Sequence, residues 1–234
     1  MFRSEAVFAL VVAAGQSRRM GGQDKIFLSL AGVPLLGRTV ESFLAAPPID
    51  EIVVVLRDER LEAGRLLAQK RAWPAQVRFC SGGPRRQDSV RRGLEQIAGK
   101  GWVLIHDGAR PLFTPALVDR GLEAAADTGA AVPVLPLTDT VKVVSPTGIV
   151  EGTLPRERLR AVQTPQVFRM DLIREAHRRL AGSEQTFNDD AAMAEALGHT
   201  VAVFPGEADN VKVTTREDLR RARALWSRRE RQRG

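Results

Sequence analysis

The stretch Val7–Gly15, VFALVVAAG, runs six apolar residues into two alanines and a glycine. A strand apolar at every position, and not at every second one, is buried on both faces, as in a parallel sheet covered by helices. The small residues after it let the chain turn sharply and let backbone amides come close to a ligand. Further strand-like runs occur at Glu51–Leu56 (EIVVVL), Val77–Cys80 and Trp102–Ile105 (WVLI). Helical patterns separate and follow these runs, near Leu36–Ala45, Leu61–Arg71, Gln87–Ile97 and Pro115–Ala126. The alternation predicts an α/β fold with a parallel sheet and helices on both faces.

The rhythm changes after Ala130. Ala131–Leu135, Thr140–Val144 and Ile149–Thr153 read as strands with no helix between them, and Ser145-Pro146-Thr147-Gly148 is a tight-turn sequence. Thr140–Thr153 is therefore expected to be a hairpin projecting from the sheet. Helices resume at Met170–Leu180 and Asp189–Leu197, a late strand is expected at His199–Phe204, and Arg216–Arg229 closes the chain as a helix. No repeat, low-complexity segment or long linker interrupts the 234 residues, so residues 1–234 are expected to form one domain.

The chain carries 35 basic and 28 acidic residues, a net charge of +7. Residues 216–234 hold eight Arg against Glu217, Asp218 and Glu230, so +5 of that +7 belongs to the terminal helix and tail. Such a helix usually presents a solvated face, and no role is assigned to it. A nucleic-acid-binding protein using this Arg-rich terminus is the alternative from another class. It calls for aromatic stacking residues, whereas the chain has no Tyr and 5% aromatics, so no nucleic-acid partner is expected. Cys80 is the single cysteine, which excludes an intrachain disulfide and a cysteine-rich zinc site and points to a reducing cytoplasm. The apolar Ala6–Gly15 lacks the basic leader of a signal peptide, and no apolar run nears the roughly 20 residues of a membrane span. No membrane association is expected.

In open α/β sheets ligands sit at the carboxyl ends of the strands. The loop after the first strand, Ala13-Ala14-Gly15-Gln16-Ser17-Arg18-Arg19-Met20-Gly21-Gly22-Gln23-Asp24-Lys25, combines small residues with three cations, a kit for a polyphosphate. It is neither the GxxxxGK[ST] loop nor the GxGxxG fingerprint. Ser81-Gly82-Gly83-Pro84-Arg85-Arg86-Gln87-Asp88-Ser89 offers amide and hydroxyl donors, with Asp88 or Ser89 equally readable as a helix cap. His106-Asp107-Gly108-Ala109-Arg110-Pro111 places a carboxylate and a cation at another strand end. Asp107 is a candidate for Mg²⁺ or a substrate hydroxyl, Arg110 for a phosphate, and His106 reads as a structural histidine. Thr138-Asp139-Thr140-Val141-Lys142 and Ala208–Thr214 each join carboxylate, hydroxyl or amide to a Lys, while Asn188-Asp189-Asp190 reads as a helix cap, with support of a metal site as the alternative for its acids.

Six of these pieces, AAGQSRRM at 13–20, GGPRRQDSV at 82–90, HDGARP at 106–111, DTVK at 139–142, QTPQVF at 163–168 and ADNVKVT at 208–214, occur in the order and near the spacing of one family. Nearly the whole chain resembles the 2-C-methyl-D-erythritol 4-phosphate cytidylyltransferases of the non-mevalonate isoprenoid pathway. The resemblance implies a nucleotidyltransferase fold, that is, a Rossmann-like mostly parallel sheet with a protruding β-arm, here about 138–160, that interlocks two subunits of a homodimer. It implies transfer of a cytidylyl group from CTP to a polyol phosphate with release of pyrophosphate, aided by Mg²⁺ held mainly through the CTP phosphates. Carried over by position, Arg19 and Lys25 are the transition-state cations, and Arg156 (from the partner's arm) and Lys212 position the phosphate. Asp107, Arg110 and Thr140 fall on polyol-contacting positions; Ala13, Ala14, Gly15, Gly83, Ser89, Asp107 and Gly108 fall around CTP. A cytidylyltransferase for another polyol phosphate, such as ribitol 5-phosphate, is the runner-up, and the small Ala109 leans toward the first reading. The chain departs from the common pattern at Asp24-Lys25-Ile26, where Pro-Lys-Gln or Lys-Lys-Gln is usual, at Pro84 and at Gly108.

Overall fold

Strand β1 (Val7–Val12) lies in the middle of an eight-stranded sheet, pairing in parallel with β4 (Glu51–Leu56) on one side and β6 (Trp102–Asp107) on the other. Leu10 faces Val53 and Ile105 across these two ladders. The computed structural model describes residues 1–15, 24–46 and 48–233. β5 (Val77–Ser81) extends the sheet in parallel beyond β4. On the far side β11 (Gln166–Arg169) inserts antiparallel between β6 and β7 (Ala130–Pro136). β10 (Arg160–Val162) pairs antiparallel with the end of β7, Val134–Pro136, beyond the part that β11 covers, and β12 (Ala202–Pro205) pairs with β7 in parallel. The mostly parallel α/β sheet read from the sequence is the one found; β10 and β11 were not anticipated as strands.

Alternate residues of β1 feed two cores. Val7, Ala9 and Val11 pack toward α1 (Leu35–Leu44), α2 (Leu61–Lys70) and α4 (Pro115–Ala125). Phe8 and Leu10 pack toward α3 (Arg86–Glu95), α5 (Met170–Arg179) and α6 (Asp190–Ala196). Both faces are dry, which is why the strand carries no polar residue: Leu10 is fully buried, and truncating such a side chain to Ala costs about 2–5 kcal/mol. The helix starts follow local chemistry. Pro115 opens α4, and the Asp189 carboxylate caps α6 by accepting from the Ala192 amide at 2.9 Å.

The short pair β2 (Ser29–Leu30) and β3 (Val33–Pro34) lies beside a third core, where Leu30, Leu35 and Leu112 meet Val213, Leu219 and Ala222. The last two belong to α7 (Arg216–Arg233), and the Arg38 guanidinium stacks over Trp226 of the same helix, 3.9 Å from the ring centroid. The basic C-terminal helix is thus a docked element, not only a solvated face. Its Arg228 also reaches Asp209 at 2.6 and 2.8 Å.

β8 (Val141–Val144) and β9 (Val150–Leu154) form a separate two-stranded hairpin, as expected from its turn sequence. Among the described residues, no helix is long and apolar enough to cross a membrane.

Candidate active site

The parallel strands β1, β4, β5 and β6 deliver their carboxyl ends to one edge, where the backbone interlocks them. The Ala13 amide donates to Val55 O at 2.8 Å, Gly82 to Leu56 O at 2.7 Å and Gly108 to Val12 O at 2.9 Å. Two glycines permit this closeness: a Cβ on Gly82 would fall 2.5 Å from that of Ala14, and one on Gly108 would fall 2.8 Å from that of Ala13. Gly108 is therefore a packing requirement here. The edge encloses a cleft of about 270 Å³. Ala13, Ala14 and Gly15 form one wall of it and Gly83 and Ser89 another. Lys25, Asp107 and Lys212 supply the charges, joined by Arg57 and Arg86.

Asp107, the last residue of β6, is 7% exposed. Its Oδ2 receives Lys212 Nζ at 2.9 Å and Arg110 Nε at 3.3 Å, and Arg86 Nε stands 3.8 Å from Oδ1. Burial opposes ionisation of this carboxyl, but Lys212, Arg86 and Arg110 outweigh it and hold the group well below the usual carboxylate range. Behind it runs a second layer of charge. Arg86 pairs with the fully buried Asp190 at 2.7 Å, and Asp190 Oδ1 lies 3.2 Å from His177 Nε2. Burial resists ionisation of Asp190, and Arg86 and His177 reverse that, so its pKa is lowered as well.

His106 is structural, as read from the sequence. It lies between Phe43 and Phe113, with Nε2 3.0 Å from Arg110 O and Nδ1 3.0 Å from Thr164 Oγ1. The carbonyl can only accept, which assigns the proton to Nε2. Burial drives the imidazole down to about 4 despite the hydrogen bond to Arg110 and the nearby Asp107. It is neutral at physiological pH. Cys80 offers no nucleophile, since burial pushes its thiol up to about 11.

The segment 208–214 is tied in by backbone and side chain together. Val213 N donates to Ala109 O at 2.8 Å, Asn210 Nδ2 to Thr164 O at 2.7 Å, and Arg110 to Asn210 O at 2.9 Å. Arg110 consequently stands behind Asp107, its side chain 12% exposed, as a brace for that carboxylate. At α3, Asp88 accepts from the Arg85 amide at 3.2 Å and Ser89 Oγ accepts from the Gly83 amide at 3.0 Å, so the first caps the helix and the second closes the loop.

Most of the residues expected to meet do so: Ala13, Ala14, Gly15, Lys25, Gly83, Ser89, Asp107 and Lys212 line one cleft, with Gly108 and Arg110 adjoining it. Thr140 and Arg156 do not; they lie on the exposed arm, where Arg156 donates to Thr138 O. Arg19 lies outside the described residues. A larger cavity of about 790 Å³ lies between α3 and α5, beside the amino end of β6 and so at the opposite edge from the parallel strands' carboxyl ends; Arg91–Glu95 at 2.6 Å neutralises part of its wall. Chemistry, not volume, selects the smaller cleft.

A profile of the 2-C-methyl-D-erythritol 4-phosphate cytidylyltransferases matches residues 7–228. The chain belongs to this family. The 2-C-methyl-D-erythritol 4-phosphate cytidylyltransferase of Dehalococcoides mccartyi is 51% identical over 225 residues, 96% of this chain and 98% of that one. The crystal structure of the enzyme of that name from Thermus thermophilus superposes with a TM-score of 0.75 at 37% identity, covering 93% of this chain and 98% of the other. That of 4-diphosphocytidyl-2C-methyl-D-erythritol synthase from Anaerococcus prevotii gives 0.84 at 27% identity over 95% and 99%. Within this cytidylyltransferase frame Arg57 was overlooked in the sequence, and Asp24 and Arg86 lay in the candidate loops without an assigned role. Arg57 directly follows β4, at the same sheet edge that drew attention to the other loops, so the signal was present.

Proposed function

We propose that the chain, acting as one domain, transfers a cytidylyl group from CTP to 2-C-methyl-D-erythritol 4-phosphate, forming the CDP-polyol and pyrophosphate. The observation carrying this is the Asp107–Lys212 pair, at 2.9 Å, on a cleft walled by two glycine-containing loops and shared with Lys25. The nucleophile is a phosphate oxygen of the monoester, whose second pKa near 6 leaves it largely dianionic at neutral pH. It attacks the α-phosphorus in line, the bond from that phosphorus to the bridging oxygen breaks, and pyrophosphate leaves with the electron pair. No general base is needed, consistent with a neutral buried His106 and a raised Cys80 thiol.

The work left for the protein is to bring two anions together and to neutralise charge at phosphorus. Lys25 and Arg19 serve as the transition-state cations. Lys212, fixed by Asp107, and Arg156 position the polyol phosphate, while Asp107 and Thr140 face its hydroxyls and Arg110 acts through Asp107. Ala13, Ala14, Gly15, Gly83, Ser89 and Gly108 shape the CTP wall. The donor available suits Mg²⁺, which characteristically takes one or two carboxylates with substrate phosphates and waters, and the carboxylate on the cleft is Asp107. Asp107 Oδ1, whose cation neighbour Arg86 is 3.8 Å away, would hold it together with CTP oxygens. When bound, the ion supplies charge neutralisation on the triphosphate. Arg156 and Thr140 stand on the arm beside exposed Val144, Ile149 and Val150, and this arrangement supports a homodimer in which each arm completes the partner's cleft. The cytoplasm is the proposed compartment.

Incubation with CTP and a panel of polyol phosphates, followed by pyrophosphate release, tests the reading. Selective turnover of 2-C-methyl-D-erythritol 4-phosphate is expected. Preference for ribitol 5-phosphate would select the runner-up, and no release with any acceptor would refute both.

A further inference from the structure

Asp24 is a buried carboxylate, its side chain 5% exposed, next in the chain to Lys25. Its Oδ2 accepts from two guanidinium groups, Arg57 at 2.8 Å and Arg60 Nε at 3.0 Å. Arg57 directly follows β4 and lines the cleft; Arg60 closes the short helical turn that leads into α2. One carboxylate oxygen thereby ties the loop after β1 to the loop after β4. On the other flank of Lys25, Ile26 is 3% exposed and packs into the core beneath β1 and α1. Lys25 itself opens a single 3₁₀ turn, Lys25–Phe27, closed by Phe27 N to Asp24 O and Leu28 N to Lys25 O, both 3.1 Å.

The lysine backbone is therefore clamped between an apolar anchor and an ionic one. A buried ion pair contributes little net stability, because desolvation offsets the attraction. What it does contribute is a fixed geometry, and a cation on a flexible four-carbon stem benefits from a fixed Cα. Rate falls steeply when a preorganised charge is displaced, by about a hundredfold for a misplacement of the order of 1 Å.

We propose that Asp24 is a positioning residue for cytidylyl transfer: through Arg57 and Arg60 it sets the turn that aims Lys25 into the cleft. This rests on the reading of Lys25 as the transition-state cation. Asp24 acts through Lys25 and does not touch substrate.

The test measures kcat, KM for CTP and for the polyol phosphate, and Tm on the full-length protein. Asp24→Asn is expected to lower kcat about tenfold with both KM values within about twofold, a split that reads on the transition state and that the accompanying fall in Tm, itself expected on removing one partner of a buried pair, does not produce. Asp24→Glu should restore much of the rate. In a Lys25→Ala background, Asp24→Asn should cause no further loss. A wild-type kcat for Asp24→Asn, or a loss that persists undiminished in the Lys25→Ala background, overturns the proposal. Should Asp24→Asn fail to fold, Arg60→Gln decides: a fall in kcat of about threefold at constant KM supports the proposal, and wild-type kcat overturns it. Wild-type turnover by Lys25→Ala would instead sink the reading of Lys25, a result distinct from a silent Asp24→Asn.

Discussion

The cleft and the arm carry residues of the same chemical kind in opposite settings. At the cleft, Asp107 is 7% exposed and meets Lys212, Arg110 and Arg86, each placed by a different segment of the fold. On the arm, Ile149 is 67% exposed and Val150 56%, and among the described residues β8 and β9 pair only with each other. A two-stranded hairpin alone in water is marginal, and a surface bearing several exposed aliphatic side chains is typical of a contact face. The cleft's geometry is set by contacts within the chain, whereas Thr140 and Arg156 stand on the exposed arm.

The most severe way to probe this contrast is Lys25→Ala, which should lower kcat by about 10²–10³ with the fold intact. Wild-type turnover, with the variant folded by circular dichroism, would remove Lys25 from the mechanism. The contrast is sharpened by mixing Lys25→Ala with Arg156→Ala. If each site takes Lys25 from one subunit and Arg156 from the other, random exchange regenerates about a quarter of the wild-type activity, one intact site in each of the half of dimers that are mixed. No recovery after exchange verified by mass spectrometry would place both residues in one subunit's site.

A third probe concerns the cleft's interior. His106 has its pKa lowered by burial to about 4 from 6.5, so between those values the unfolded chain binds more protons and the folded state loses stability as pH falls. His106→Asn should flatten chemical-denaturation stability between pH 6.5 and 4 relative to wild type. The rate profile should still rise near 6 with the substrate phosphate. A steeper stability profile in the variant would contradict the neutral, Nε2-protonated assignment. The smallest effect belongs to Arg228→Ala, which removes a half-exposed contact to Asp209 and should shift Tm by an amount equivalent to less than about 1 kcal/mol. A large loss of activity would mean that α7 governs the placement of Lys212.

Legibility differed by element for physical reasons. β1, β4 and β6 were readable because strands buried on both faces are apolar nearly throughout; β5, an edge strand with Arg78 exposed, was readable from its place in the alternation with helices. β11 was not: Gln166–Arg169 has two apolar residues flanked by polar ones, and only its position between β6 and β7 makes it a strand. Leu219, Ala222 and Trp226 of α7 do carry a helical spacing, but their burial depends on Leu30, Leu35 and Leu112 reaching the same place from distant segments. Asp107, Lys212 and Lys25 were readable as residue types at strand ends. Arg110 was readable as a cation near the substrate, yet its buried bonds to Asp107 and Asn210 make it a brace.

The sequence by itself determined the layered α/β sheet, the hairpin and the loops that face one edge, because burial periodicity and turn chemistry are local. Only the tertiary structure decided how charges pair. Asp24 with Arg57 and Arg60, Arg86 with Asp190, and Lys212 with Asp107 join residues 33 to 105 positions apart. A carboxylate can be buried only where cations from elsewhere in the chain arrive to meet it, and that is a property of packing.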